Sequence, residues 1–85
     1  MIIVFQKKFD KSFKKLPLKS KEKFYERLTI FQKDQFDPTL NNHSLQGKYL
    51  GYRNINITGD LRAIYIKRTN EVTFIDVGSH SNLYD

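Results

Sequence analysis

Gly51-Tyr52-Arg53-Asn54-Ile55-Asn56-Ile57-Thr58-Gly59-Asp60-Leu61-Arg62-Ala63-Ile64-Tyr65-Ile66-Lys67-Arg68-Thr69-Asn70-Glu71-Val72-Thr73-Phe74-Ile75-Asp76-Val77 is the stretch on which the fold turns. It is rich in β-branched and aromatic residues and is cut twice by turn formers. Residues 52–58 read as a strand, with Ile55 and Ile57 on one face and Asn54 and Asn56 on the other. Thr58-Gly59-Asp60 is a tight turn, residues 61–67 return as a second strand, Thr69-Asn70 turns again, and residues 72–77 form a third. Short connections between consecutive strands imply an antiparallel meander.

Upstream the period changes. Phe5, Phe9, Phe13 and Leu16 recur at intervals of four, four and three, which predicts an amphipathic helix with lysines on its remaining faces. Pro17 ends it, having no N–H to donate and a ring that blocks the preceding turn. A second helix is expected from about Ser20, its N-cap, with Phe24, Leu28 and Phe31 on one stripe and Tyr25 beside it; Asp37-Pro38 closes that region. Residues 2–5 suit a short buried strand, and residues 39–51 carry no period and read as a loop. The order β-α-α-β-β-β predicts an α+β fold, a two-helix hairpin packed on one face of a mainly antiparallel sheet. Phe9, Phe13, Leu16, Phe24, Leu28 and Phe31 should be buried with Ile55 and Ile57. The other sheet face then has nothing to cover it, so it must be polar or bind something.

Composition narrows the function classes. Eighty-five residues allow one domain, expected to span 1–85. A content of 39% hydrophobic and 14% aromatic residues is enough for one small core and too much for a disordered chain. No cysteine is present, which excludes a thiol nucleophile, a disulfide scaffold and Cys-ligated metals. The opening Met1-Ile2-Ile3-Val4-Phe5 is too short for a signal peptide and no run is long enough to span a membrane, so a cytoplasmic protein without membrane contact is expected. The net charge of +6 is uneven. Residues 1–36 hold ten basic and four acidic residues, whereas residues 37–85 hold five of each. A lysine-rich half of this kind attracts polyanions or an acidic protein segment, besides favouring solubility.

Few residues can carry chemistry. His43 and His80 are the only side chains whose ordinary pKa suits proton transfer near neutrality. Tyr84 follows His80 by four, so a turn in the tail would point both the same way. Asp60 and Arg62, two apart, are expected on one sheet face, and Arg62 reads as a phosphate clamp with Arg53 as a second. Tyr49, Tyr52 and Tyr65 offer stacking surfaces. Metal-ligand spacings and glycine-rich phosphate loops are missing, so no metal and no cofactor is expected.

The segments Asn42-His43-Ser44-Leu45-Gln46-Gly47, Gly51-Tyr52-Arg53, Gly59-Asp60-Leu61-Arg62-Ala63-Ile64-Tyr65 and Gly78-Ser79-His80-Ser81-Asn82-Leu83-Tyr84 together resemble the YafQ-like branch of the RelE toxin superfamily. Phe9-Asp10-Lys11-Ser12-Phe13-Lys14-Lys15-Leu16 is similar to that family's first helix. The resemblance implies a type II toxin: an endoribonuclease that cuts mRNA in the ribosomal A site and is restrained by a cognate antitoxin. It implies His43, Asp60, Arg62, His80 and Tyr84 as catalytic residues, and places Lys48, Tyr52 and Arg53 on the substrate side. Its expected partners are the ribosome, mRNA and an acidic antitoxin, with a free monomer that becomes a hetero-oligomer on inhibition. Three positions depart from the family. Asn56 stands where some members have another histidine, Leu61 where tryptophan is usual, and Asp76 where some carry arginine. A carboxylate at that last position would repel a scissile phosphate unless it turns away. Two other readings remain beside this one: a gyrase-directed toxin of the ParE type, and a module of the same fold without catalysis.

Overall fold

In the computed structural model, which describes residues 1–84, five strands and three helices follow the order β1 (Ile2–Phe5), α1 (Lys7–Lys14), α2 (Leu18–Lys33), β2 (His43–Ser44), β3 (Arg53–Asn56), β4 (Leu61–Arg68), β5 (Glu71–Ser79) and α3 (His80–Tyr84). The sheet order is β1-β5-β4-β3-β2. The meander β3-β4-β5 is antiparallel as its short turns demand, and β1 joins it alongside β5 in parallel. A parallel neighbour needs a long crossover, and the α1–α2 hairpin is part of the chain that lies between them. The architecture is an α+β fold with a mixed sheet.

The helices form where the apolar period places them, with shifted ends. α1 closes as Lys15 and Leu16 donate to the carbonyls of Ser12 and Phe13, and Pro17 prevents continuation. The second helix begins at Leu18 rather than at Ser20. Pro17, at φ −59° and ψ 154°, occupies the cap position, and its carbonyl accepts the first bond from the Lys21 N–H, so Ser20 lies inside the helix. α2 stops at Lys33, short of Asp37-Pro38, and the chain then makes a 3-10 turn at Pro38–Leu40 capped by the Asp37 carboxylate. The hydrogen bonds from Thr39 hold that carboxyl below its ordinary range. Residues 39–51, expected as loop, include the two-residue strand β2, which pairs His43 with Asn54 and Ser44 with Arg53. No local period betrays a strand so short; only its partner defines it.

The core is aromatic. Phe9, Phe24, Phe31 and Phe74 are buried with Ile55 and Ile57, and Phe5, Phe13, Leu16 and Leu28 pack against them. Ring pairs at such separations contribute about 0.5–1.5 kcal/mol each beyond area burial. Phe74 is the centre, with Phe5, Phe9, Phe24, Phe31 and Tyr65 all at centroid distances of 5.6–5.9 Å. A smaller cluster of Leu45, Ile64 and Leu83, joined by Tyr49, Tyr52, Ile75 and Tyr84, lies on the opposite sheet face.

Between the clusters, β5 carries a bulge: Ile64 pairs with Asp76 and Tyr65 with Phe74, leaving Ile75 extra. Strand alternation breaks here. Asp76 turns to α1, where it accepts from Ser12 Oγ at 2.7 Å and from its neighbour's Val77 N–H at 2.9 Å, and pairs with Lys8 Nζ at 3.3 Å; Val77 nevertheless joins the main core.

Truncation at the aromatic centre should be costly. Phe74→Ala is expected to lower stability by about 3–5 kcal/mol, whereas Leu18→Ala, at a position 72% exposed, should stay within about 0.5 kcal/mol. Urea denaturation of the two variants checks the ranking.

Candidate active site

On the sheet face turned away from α1 and α2, a cleft of about 390 Å³ is lined by Asn41, His43, Leu45, Gln46, Asn54, Arg62, His80 and Tyr84. Four separate pieces of chain build it. Asn41 adopts a left-handed conformation (φ 44°), which asparagine tolerates better than most residues, and swings the chain from the 3-10 turn into β2. Its carbonyl then lies 2.8 Å from His43 Nδ1. A carbonyl only accepts, so this contact requires the hydrogen on Nδ1 and leaves the Nε2 lone pair available in the neutral ring.

The loop that carries His43 is stapled from below. Arg53 Nε donates to Asn42 Oδ1 at 2.7 Å, and Asn42 Nδ2 donates to Tyr65 Oη at 2.7 Å and to the Gln35 carbonyl at 2.9 Å. The Arg53 guanidinium also lies 5.3 Å from the centroid of the Phe36 ring. Arg53 shares the face of Ile55 and Ile57, as strand alternation requires, and so stands on the helix side of the sheet rather than in the cleft.

Arg62, opposite Gly78 and Asn56 in the ladder, is anchored by its own turn: Nη1 donates to the carbonyls of Thr58 at 3.0 Å and Gly59 at 2.9 Å. Its Nε and Nη2 have no partner among the described residues. Asp60 does not share this face. β4 begins at Leu61, so alternation does not extend to Asp60, which lies in the turn and lines a second cleft beside Ser12, Lys15 and Asp76. Its backbone carbonyl nonetheless accepts from the His80 N–H, fixing where the tail starts.

The tail does turn. α3 puts the His80 and Tyr84 rings 4.8 Å apart, while Leu83 is buried in the smaller cluster. Burial pushes the Tyr84 hydroxyl above its ordinary pKa, with the hydrogen bond from Asn54 acting in the opposite direction, so the phenol keeps its proton at neutral pH. Tyr49 and Tyr52 buttress this tail. Their rings meet at 6.2 Å, Tyr49 stands 5.9 Å from Tyr84, and exposed Lys48 rests over Tyr49 at 5.3 Å. Tyr65 is wholly buried among phenylalanines. The cleft thus gathers His43, Arg62, His80 and Tyr84, and leaves Asp60, Lys48, Tyr52 and Arg53 outside its lining.

Asn54 was not singled out from the sequence. It is only 1% exposed, yet it lines the cleft and donates its Nδ2 to Tyr84 Oη. Its face was legible from the Asn54/Asn56 alternation; its partner, thirty residues away, was not. Asp76 turns away from the cleft, which removes the carboxylate that would have repelled a phosphate there.

Residues 1–85 match the profile of the family described as bacterial toxin of type II toxin-antitoxin system, YafQ. The chain belongs to the YafQ family of type II toxins. A copper-bound mutant toxin from Helicobacter pylori is 31% identical, with 99% of each chain covered and a TM-score of 0.82. YafQ from Escherichia coli strain BL21(DE3) is 22% identical over 98% of this chain and 97% of its own, with a TM-score of 0.84. YafQ in the E. coli DinJ-YafQ complex shares the fold at 24% identity, covering 98% and 97%, with a TM-score of 0.75. No curated protein sequence matches the chain. Among the described residues, no group of three or more His, Cys, Asp or Glu side chains converges as a metal site.

The histidine geometry is directly checkable. Nitrogen-15 NMR at alkaline pH should show neutral His43 with its hydrogen on Nδ1. A dominant Nε2–H form would mean that the contact with Asn41 is absent in solution.

Proposed function

We propose that this YafQ-family toxin is a ribosome-dependent endoribonuclease that cleaves mRNA in the A site by metal-independent acid–base catalysis. The observation carrying this reading is the convergence of His43, His80, Arg62 and Tyr84 on one cleft. Strand cleavage needs a base for the 2′-OH proton, a cation for the charge that builds on phosphorus, and an acid for the departing 5′-oxygen. Attack of the 2′-oxygen on phosphorus forms one P–O bond and breaks the bond to the 5′-oxygen. The products are a 2′,3′-cyclic phosphate and a 5′-hydroxyl.

The free Nε2 of His43 suits the base. His80 as imidazolium, or the protonated Tyr84 hydroxyl beside it, suits the acid. Arg62, held by carbonyls through one nitrogen, offers its remaining donors to the phosphate oxygens. In this reading Asp60 acts on His80 through the backbone rather than as a proton-transfer group, and Arg53 acts by holding the His43 loop.

The lysines of α1 and the α1–α2 link, exposed at Lys7, Lys11, Lys14 and Lys15, supply the surface for ribosomal RNA. The same surface suits an acidic antitoxin, and the E. coli DinJ-YafQ toxin-antitoxin complex supports an antitoxin as partner.

Cleavage of ribosome-bound mRNA in a purified translation system tests the reading. His80→Ala and His43→Ala should each lose on the order of 10²–10⁴-fold in rate with an unchanged circular dichroism spectrum. Arg62→Ala should also cripple cleavage, and Arg62→Lys should restore it only in part, because an ammonium lacks the forked geometry. Full activity in well-folded His80→Ala would overturn the assignment.

Removing Lys7, Lys11, Lys14 and Lys15 charges together should weaken ribosome binding and flatten its dependence on salt. An unchanged salt slope would assign these lysines to solubility.

A further inference from the structure

We propose that Asn54 is a positioning residue that holds the Tyr84 hydroxyl so that its proton faces the substrate in the cleft. The inference rests on the ribonuclease reading above and adds to it a residue acting through another. Three observations carry it.

The first is that Asn54 is poorly explained by stability. It sits within β3, is 1% exposed, and belongs to a face whose buried neighbours are Leu45, Ile64 and Leu83. Asparagine is disfavoured in strands, and an aliphatic side chain would extend that cluster. Moreover, Asn54 Oδ1 has no hydrogen-bond partner among the described residues. A buried carbonyl oxygen left unpaired is destabilising, a cost that Asn56 Oδ1 on the same face shares.

The second is the direction of the one bond Asn54 makes. Its Nδ2 donates to Tyr84 Oη, so the phenolic oxygen is the acceptor there. With the amide so oriented, the Tyr84 O–H is left to point elsewhere. No described residue accepts from it, and the cleft, where Arg62 and His80 also lie, is the open direction.

The third is mechanical. Tyr84 belongs to a helix of only five residues, an element with little stiffness of its own. The bond to β3, with the His80 ring 4.8 Å away and the Tyr49 ring 5.9 Å away, limits the orientations open to the phenol. The phenolic proton is then preset in the cleft that Arg62 also lines, ready for a phosphate or leaving oxygen, without reorganisation during the reaction.

The test is a double-mutant cycle, read by single-turnover cleavage of ribosome-bound mRNA. Asn54→Ala should lower the maximal rate about a hundredfold with little change in the concentration dependence and no loss of thermal stability. In a Tyr84→Phe background the same substitution should change the rate less than about twofold, since the group through which it acts is gone. Asn54→Asp should be at least as damaging as Asn54→Ala, because a carboxylate only accepts and draws the phenolic proton out of the cleft. An equal loss in both backgrounds, or no loss in either, overturns the proposal.

A readout independent of cleavage accompanies it. Carbon-13 NMR titration of the tyrosine ring carbons should show Tyr84 ionising at higher pH in Asn54→Ala than in the unmodified toxin, because a donor to the phenolate has been lost. An unshifted titration overturns the Asn54–Tyr84 link. A wild-type toxin that cuts no RNA, but in which this shift is present, would instead overturn the ribonuclease reading alone.

Discussion

Phe74 is the point on which the molecule depends. Its ring, at the middle of β5, lies within 6 Å of five others, from β1, both long helices and β4. In a chain of this length no second large core exists to compensate for a loss there. The contact also sets geometry. Because α1 and α2 both lean on Phe74 through Phe9, Phe24 and Phe31, the helical hairpin is confined to one face of the sheet. The opposite face is left for other use.

That division leaves a small protein room for a cleft lined by polar side chains. The polar or charged side chains Asn54, Arg62 and His80 lie on or beside the face that the helices do not cover. The bulge at Ile75 marks the border between the two uses. Beyond it, β5 commits Asp76 to Ser12 and Lys8 on the helix side, and then runs on to deliver His80 and α3 to the other. The Asp76 carboxylate thereby serves contacts to α1. Its negative charge is answered by Lys8 of α1 rather than presented to the cleft.

The two faces are also coupled. Tyr65 packs against Phe31 and Phe74 in the core, and its hydroxyl accepts from Asn42, which accepts from Arg53. Asn42 immediately precedes His43. The histidine is thus held by a hydrogen-bonded chain rooted in the aromatic core, although its own side chain is exposed.

The sequence by itself determined the helical stripe of phenylalanines and the three-strand meander, because each is a local period or turn signal read within a dozen residues; the far sheet face, expected to lie bare, is instead partly covered by Leu45, Tyr49, Tyr52 and Leu83. It also isolated His43, Arg62, His80 and Tyr84 by chemical type, and the resemblance of its motifs named their family. Local patterns had less to say where partners are distant. The start of α2 at Leu18 depends on what the Pro17 carbonyl accepts, and β2 exists only because Asn54 and Arg53 lie opposite it. The parallel place of β1 is set by its aromatic contact with β5. Asp60 and Arg53 carry the right chemistry for the cleft and lie outside it, one because its strand begins a residue later and the other because of its parity with Ile55. Asn54, which sequence alone passed over, acquires its meaning from a tyrosine thirty residues on. Hydrogen bonds between side chains have no period, so only the tertiary structure decided them.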